Sequence, residues 1–125
     1  MNGIKLSIIC VIVFLGVVTL LFSYTSANTR AADQIRIADI GLIQKFLNQY
    51  KIDHNVYPGS VNNQPAGFEA YLEKLPQSPA NSNCSSDNNK YVYESLNQGA
   101  DYRLTFCLSH SAGEFHAGLN SVGSK

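Results

Sequence analysis

The sequence predicts an α+β fold in which one long amino-terminal helix, half in a membrane and half under a small antiparallel sheet, carries the whole molecule. Three observations predict it. A run from Leu6 to Thr29 holds no charged residue and is almost wholly apolar from Ile8 to Phe22. A proline-free segment follows, with apolar residues at helical spacing as far as Asp53. Near the carboxyl end, two alternating segments flank a turn of Asn97, Gln98, Gly99 and Ala100. With 9 basic and 9 acidic residues the formal charge is zero, so no basic excess exists to neutralise phosphates and a nucleic-acid partner is not expected. Residues 1–30 therefore read as a transmembrane or signal-anchor segment. Residues 31–125 suffice for one small core, carried outside the membrane.

The apolar run matches the ~20 residues that cross a bilayer as a helix, so lipid contact is expected through residues 6–29. Lys5 and the terminal amine precede the run and point the amino terminus to the cytoplasm. The expected location is the cytoplasmic membrane, spanned once, with the carboxyl-terminal part in the periplasm or at the cell surface. A cleavable signal competes, because Thr25, Ser26 and Ala27 resemble a small-residue cleavage site. The stretch from Leu6 to Phe22 is longer than the ~7 to 15 residues of a signal core, which favours an uncut anchor. Ile9 stands where lipoprotein processing requires a small residue, so Cys10 reads as a small apolar residue in the membrane.

Over residues 31–53 the side chains of Ile40, Leu42, Ile43, Phe46, Leu47 and Tyr50 spread over about 160° of helical arc and form one apolar face. Arg36 and Asp39 share that face at a pairing distance of three residues. Their pairing leaves the core to grip the helix only from about Ile40. Nothing between Phe22 and Ala31 breaks a helix, so a single rod from about Ile4 to Asp53 is expected, ~75 Å long. Asn55 offers a left-handed exit and Pro58 prevents continuation.

Residues 54–76 should form a loop, polar from Ser60 to Pro65, and a short second helix from Gly67 to Lys74 that sets Phe68, Tyr71, Leu72 and Leu75 on one side. Pro76 and Pro79 end it. Residues 77–118 combine a Ser- and Asn-rich loop carrying Cys84 with strands from Lys90 to Leu96 and from Asp101 to Ser109. On the second strand Tyr102, Leu104, Phe106 and Leu108 share one face. The expected core sets Ile43, Phe46, Leu47 and Tyr50 against Tyr102, Leu104 and Phe106. Cys107 lies on the other face, toward the loop of Cys84. In an oxidising compartment the two should join while Cys10 stays free, closing a loop of ~23 residues worth roughly 3 kcal/mol. Glu114 to Gly118 could add a third strand, leaving residues 119–125 as a tail.

Asp39, Ile40, Ile43, Leu47, Tyr50, Lys51, Asp53, Tyr57 and Pro58 form D-I-x-x-I-x-x-x-L-x-x-Y-K-x-D-x-x-x-Y-P. The pattern resembles that of the major pseudopilin of type II secretion systems and of related type IV pilins. Tyr71, Leu72, Leu75, Pro76, Pro79, Tyr91, Tyr93, Tyr102 and Leu104 are similar to the tyrosine-strand pattern of short bacterial pilins. The resemblance implies a pilin-like lollipop that assembles with other pilin-like subunits through helix contacts, on an inner-membrane assembly platform. In that family a glycine, a phenylalanine and a nearby glutamate precede the apolar helix. Here Gly3 is followed by Ile4, Lys5, Leu6 and Ser7, and no acidic residue occurs before Asp33. The expectation is a chain not processed as a pilin, joining a filament, if at all, at low copy or at an end.

No enzyme is expected. His110, Glu114 and His116 form H-x-x-x-E-x-H, a spacing that can bring ligands to one metal. Solvated polar residues are the simpler reading. Ser109, His110 and Asp101 contain the ingredients of a nucleophilic triad without its spacing. Asp87, Asn88 and Asn89 could offer calcium oxygens but read better as a turn. Cofactor, metal and small-molecule substrate are all expected to be none.

Overall fold

The computed structural model describes residues 2–124. Helix α1 (Asn2–His54) is continuous over 53 residues, about 80 Å at the rise of an α-helix. It ends as its sequence requires: Asn55 takes φ 62°, and its N–H donates to the Lys51 carbonyl at 2.9 Å, a left-handed cap. Large apolar side chains from Leu6 to Phe22 are open on all sides of the helix, Phe14 at 69% exposure. On the outer half, Ala32, Asp33, Arg36, Ile40, Ile43, Phe46 and Leu47 are buried under the head.

The head begins two turns earlier than expected. Arg36 pairs with Asp33, not with Asp39, at 3.0 Å. The spacing is the same, but Asp33 also meets the backbone at Ser109 and His110, which pins it. Asp39 is left to accept the Tyr91 hydroxyl at 2.7 Å.

A three-stranded antiparallel sheet, β3 (Val92–Leu96), β4 (Asp101–Leu108) and β5 (Gly118–Gly123), lies in that order over the helix. Tyr93 stands opposite Leu104, and Leu104 opposite Val122. Tyr102, Leu104, Phe106 and Leu108 face the core with Tyr93. The β3–β4 connection passes through positive φ at Asn97, Gln98 and Gly99. Gly99 is required there: a Cβ would lie 2.9 Å from the Tyr57 carbonyl, because the Tyr57 N–H reaches the Gly99 carbonyl at 2.8 Å. The hairpin turn is thus tied to the chain leaving α1.

Three expectations are corrected. The polar loop is a small hairpin, β1 (Ser60–Val61) with β2 (Gln64–Pro65), closed by Asn62 and Asn63, both at positive φ. It covers the outer edge of β3, where the Asn63 carbonyl accepts the Tyr93 N–H and the Ser60 hydroxyl donates to the Tyr93 carbonyl. The second helix reduces to one 3₁₀ turn, Phe68–Ala70, entered through left-handed Gly67. Phe68, Tyr71, Leu72 and Leu75 still pack on the core. The third strand is not 114–118 but β5, made from residues expected to be tail; Phe115 makes only a single bridge to Ala112. Asn120 is buried on this strand, and its amide satisfies His116 from both sides and the Gly118 carbonyl, closing the turn that launches β5. At the far end Asp101 holds β5 to β4: the Ser124 hydroxyl, then the Tyr102 and Ser124 backbone N–H groups, lower its pKa.

Phe46 is buried in the core cluster and meets the rings of Tyr50 and Tyr71 at 6.1 and 5.4 Å. Replacing it with alanine leaves a large void, and Phe46→Ala should cost about 3–5 kcal/mol. Urea unfolding of the full chain in detergent micelles, followed by near-ultraviolet circular dichroism, reads this; a loss below ~1 kcal/mol would mean that this face does not carry the core.

Candidate functional site

Two features stand out on the helix: an apolar surface without partners in its first half and a polar junction where the head begins. The junction is built around two fully buried charges. Asp33 Oδ1 accepts from Arg36 Nη1 at 3.0 Å and from the Ser109 N–H at 2.9 Å. Its Oδ2 accepts the His110 N–H at 2.9 Å and faces His110 Nδ1 at 3.1 Å. Arg36 Nε donates to the Ser78 hydroxyl, while Nη2 reaches the carbonyls of Pro79 and Asn81 and Oδ1 of Asn89. No buried side-chain nitrogen or oxygen among the described residues lacks a partner. A buried pair is tolerated only when its remaining lone pairs and protons are answered in this way.

The loop that answers Arg36 has almost no regular structure of its own. Its other tether is covalent: Cys84 and Cys107 are joined, with Cα atoms 6.3 Å apart. Cys107 lies on the sheet face away from the helix, buried beneath that loop. The Asn83 N–H also donates to the Ser109 hydroxyl. Cys10 is free and exposed on the apolar half.

The residues of the D-I…Y-P pattern line the seam between helix and head. Ile40, Ile43, Leu47, Tyr57 and Pro58 are buried. The Tyr57 ring meets Tyr102 edge-on at 4.8 Å and carries Lys51 Nζ 5.2 Å from its centre. The Pro58 carbonyl accepts the Tyr93 hydroxyl at 2.7 Å. At the outer end of the helix Asp53 accepts from Tyr71 at 2.6 Å and from Gln49 at 3.0 Å. Those bonds lower the Asp53 pKa, while the carboxylate raises Tyr71 to about 12. Burial, then the bond to Asp39, pushes Tyr91 well above the usual phenol range, burial does the same for Tyr93, and burial also raises Tyr102.

The residue sets with catalytic or metal-binding ingredients are dispersed. Asp101 is engaged by Ser124 at the opposite end of β4 from Ser109 and His110. His110 faces Asp33, whereas His116 Nδ1 lies against the Ala117 carbonyl. Among the described residues no group of three His, Cys, Asp or Glu side chains is placed to hold a metal. Asn89 Oδ1 is already shared by Arg36 and Ser78. What the sequence did not disclose was the role of Asp33, Ser78 and Asn89; the only local signal was that Asp33 precedes Arg36 by the same three residues that separate Arg36 from Asp39. No protein-family model, curated protein or solved structure matches the chain.

Removing one member of the clamp strands the other. Arg36→Leu should destabilise the head by about 3–5 kcal/mol, and the Asp33→Leu, Arg36→Leu double variant should lose less than the sum of the single changes. Urea midpoints of the three variants in detergent decide; strict additivity would mean the two charges are not coupled.

The tyrosines give a pH dependence of definite sign. An unfolded phenol ionises near 10.0 and the folded ones later, so their contribution is full below pH 10 and is lost as pH rises beyond it. A tyrosinate absorbance titration of the native protein should fall short of the seven tyrosines present until the head unfolds. Full ionisation near pH 10 with native circular dichroism would contradict it.

Proposed function

We propose that the chain is a membrane-anchored, pilin-like structural subunit of a bacterial assembly of the type II secretion or type IV pilus kind. The observation that carries this reading is the continuity of α1: an apolar, uncovered half built to lie in lipid runs without interruption into a half that is the core of the head. A rod of this kind transmits the position of its membrane half to the head, which a subunit stacked through helix contacts requires. The amino terminus lies in the cytoplasm and the head outside the cytoplasmic membrane, where an oxidising compartment preserves Cys84–Cys107. Its partners are other pilin-like subunits and an inner-membrane assembly platform. Its role is structural, not enzymatic.

A second reading, an anchored or secreted binding module that does not polymerise, is favoured by one observation. No acidic residue stands in the apolar half and Asp33 is sealed inside the head, so the membrane half lacks the glutamate that the resembled family carries beside its apolar helix. For the same reason a position at low copy or at an end suits this chain better than the body of a filament. A photo-crosslinking residue at the exposed Phe14 position tests the choice in native membranes. Capture of the apolar helix of a second subunit supports the structural role; capture of lipid alone, with a monomer after mild detergent extraction, would favour the module.

A further inference from the structure

Lys5 and Arg30 bracket the uncharged run on one continuous helix and lie about 37 Å apart along its axis. A bilayer's hydrocarbon is ~30 Å thick and its full depth with headgroups ~40–45 Å. When the apolar run fills the hydrocarbon, both cations therefore sit at the level of lipid phosphates.

At Arg30 the head opens a cleft of about 250 Å³ between α1 and the segment after β4. Arg30, Gln34, His110, Ser111 and the buried Asp33 line it. The carboxylate does not make the cleft acidic, because both its oxygens are occupied by Arg36, by two backbone N–H groups and by His110. Arg30 is exposed and enters none of the ion pairs among the described residues. The Ser111 oxygen accepts the Ala117 N–H, which leaves its hydroxyl proton to donate. The cleft thus presents an unpaired guanidinium, a hydroxyl donor and the Gln34 amide at phosphate depth, and no acid apart from the neutralised Asp33.

We propose that this cleft binds the phosphate of an anionic phospholipid, with Arg30 as the charged anchor, and that the bound lipid seats the head on the membrane surface. The proposal rests on the anchored reading above. The phosphodiester is held by the forked guanidinium, and an anionic headgroup is favoured over a zwitterionic one because it brings no cation of its own toward Arg30.

The test uses the full chain in vesicles of phosphatidylcholine containing about a quarter phosphatidylglycerol, released into mild detergent and weighed intact with its retained lipids. In a Lys5→Gln background, which leaves Arg30 as the one cation at phosphate depth, the ratio of retained phosphatidylglycerol to phosphatidylcholine should be about fivefold that of the vesicles. Arg30→Gln in the same background should return the ratio to the vesicle composition, and Lys45→Gln, outside the cleft, should not. Retention of both lipids in proportion, or enrichment that survives Arg30→Gln, would overturn the proposal. If millimolar inorganic phosphate displaces the lipid and binds in its place, the cleft takes any phosphate and the lipid assignment falls. An alkaline carbonate wash of the same vesicles separates the two levels. Release of the chain would refute the anchor and the lipid site together; a chain that stays without enrichment refutes the lipid site alone.

Discussion

A guanidinium with no exposed surface must have its donors answered by protein, and Arg36 gathers three stretches of chain to do so. Asp33 comes from its own helix, Ser78, Pro79 and Asn81 from the loop before the sheet, and Asn89 from the far end of that loop. Asp33 in turn draws in the end of β4 through Ser109 and His110. The penalty for a buried, unanswered charge is several kcal/mol, so these segments hold their places together or not at all. Apolar packing holds the upper head against the helix; the polar clamp fixes where on that helix the sheet must sit.

That placement matters because little else would set it. Above Ile40 the seam is a broad apolar face, a kind of surface that tolerates extensive repacking. The two charges break this freedom, since a shift of one residue would carry Arg36 away from its acceptors. The Cys84–Cys107 bond works on the same segment from the opposite side of the sheet, holding the acceptors near the place where the guanidinium needs them. The clamp lies within a few residues of the end of the apolar run.

Periodicity made the main elements legible. The recurrence from Ile40 to Tyr50 fixes the buried face of α1, and the alternation from Tyr102 to Leu108 fixes the inner face of β4. Asn55, with its tolerance for positive φ, marked the helix end. The features that escaped have polar residues in structural positions. β5 reads Gly-Leu-Asn-Ser-Val-Gly and buries its asparagine, so no apolar alternation announces it. The β1–β2 hairpin turns on Asn62 and Asn63 with strands two residues long, too short for a pattern. The second helix stops after one turn, where Tyr71 leaves helical backbone at φ −121°. At the junction, both Asp33 and Asp39 stand three residues from Arg36. Only the loops packed around the helix, which local sequence does not encode, decide between them.

The central claim is mechanical: α1 is one unbroken rod, stiffened by the clamp just beyond its apolar half. Hydrogen exchange of the full chain in lipid nanodiscs measures this amide by amide, since protection reports local opening. The account predicts continuous protection from the apolar run through Gln34 into the head, with no fast-exchanging gap between Thr25 and Asp33. Rapid exchange confined to that stretch, beside protected segments on either side, would show a hinge and contradict it.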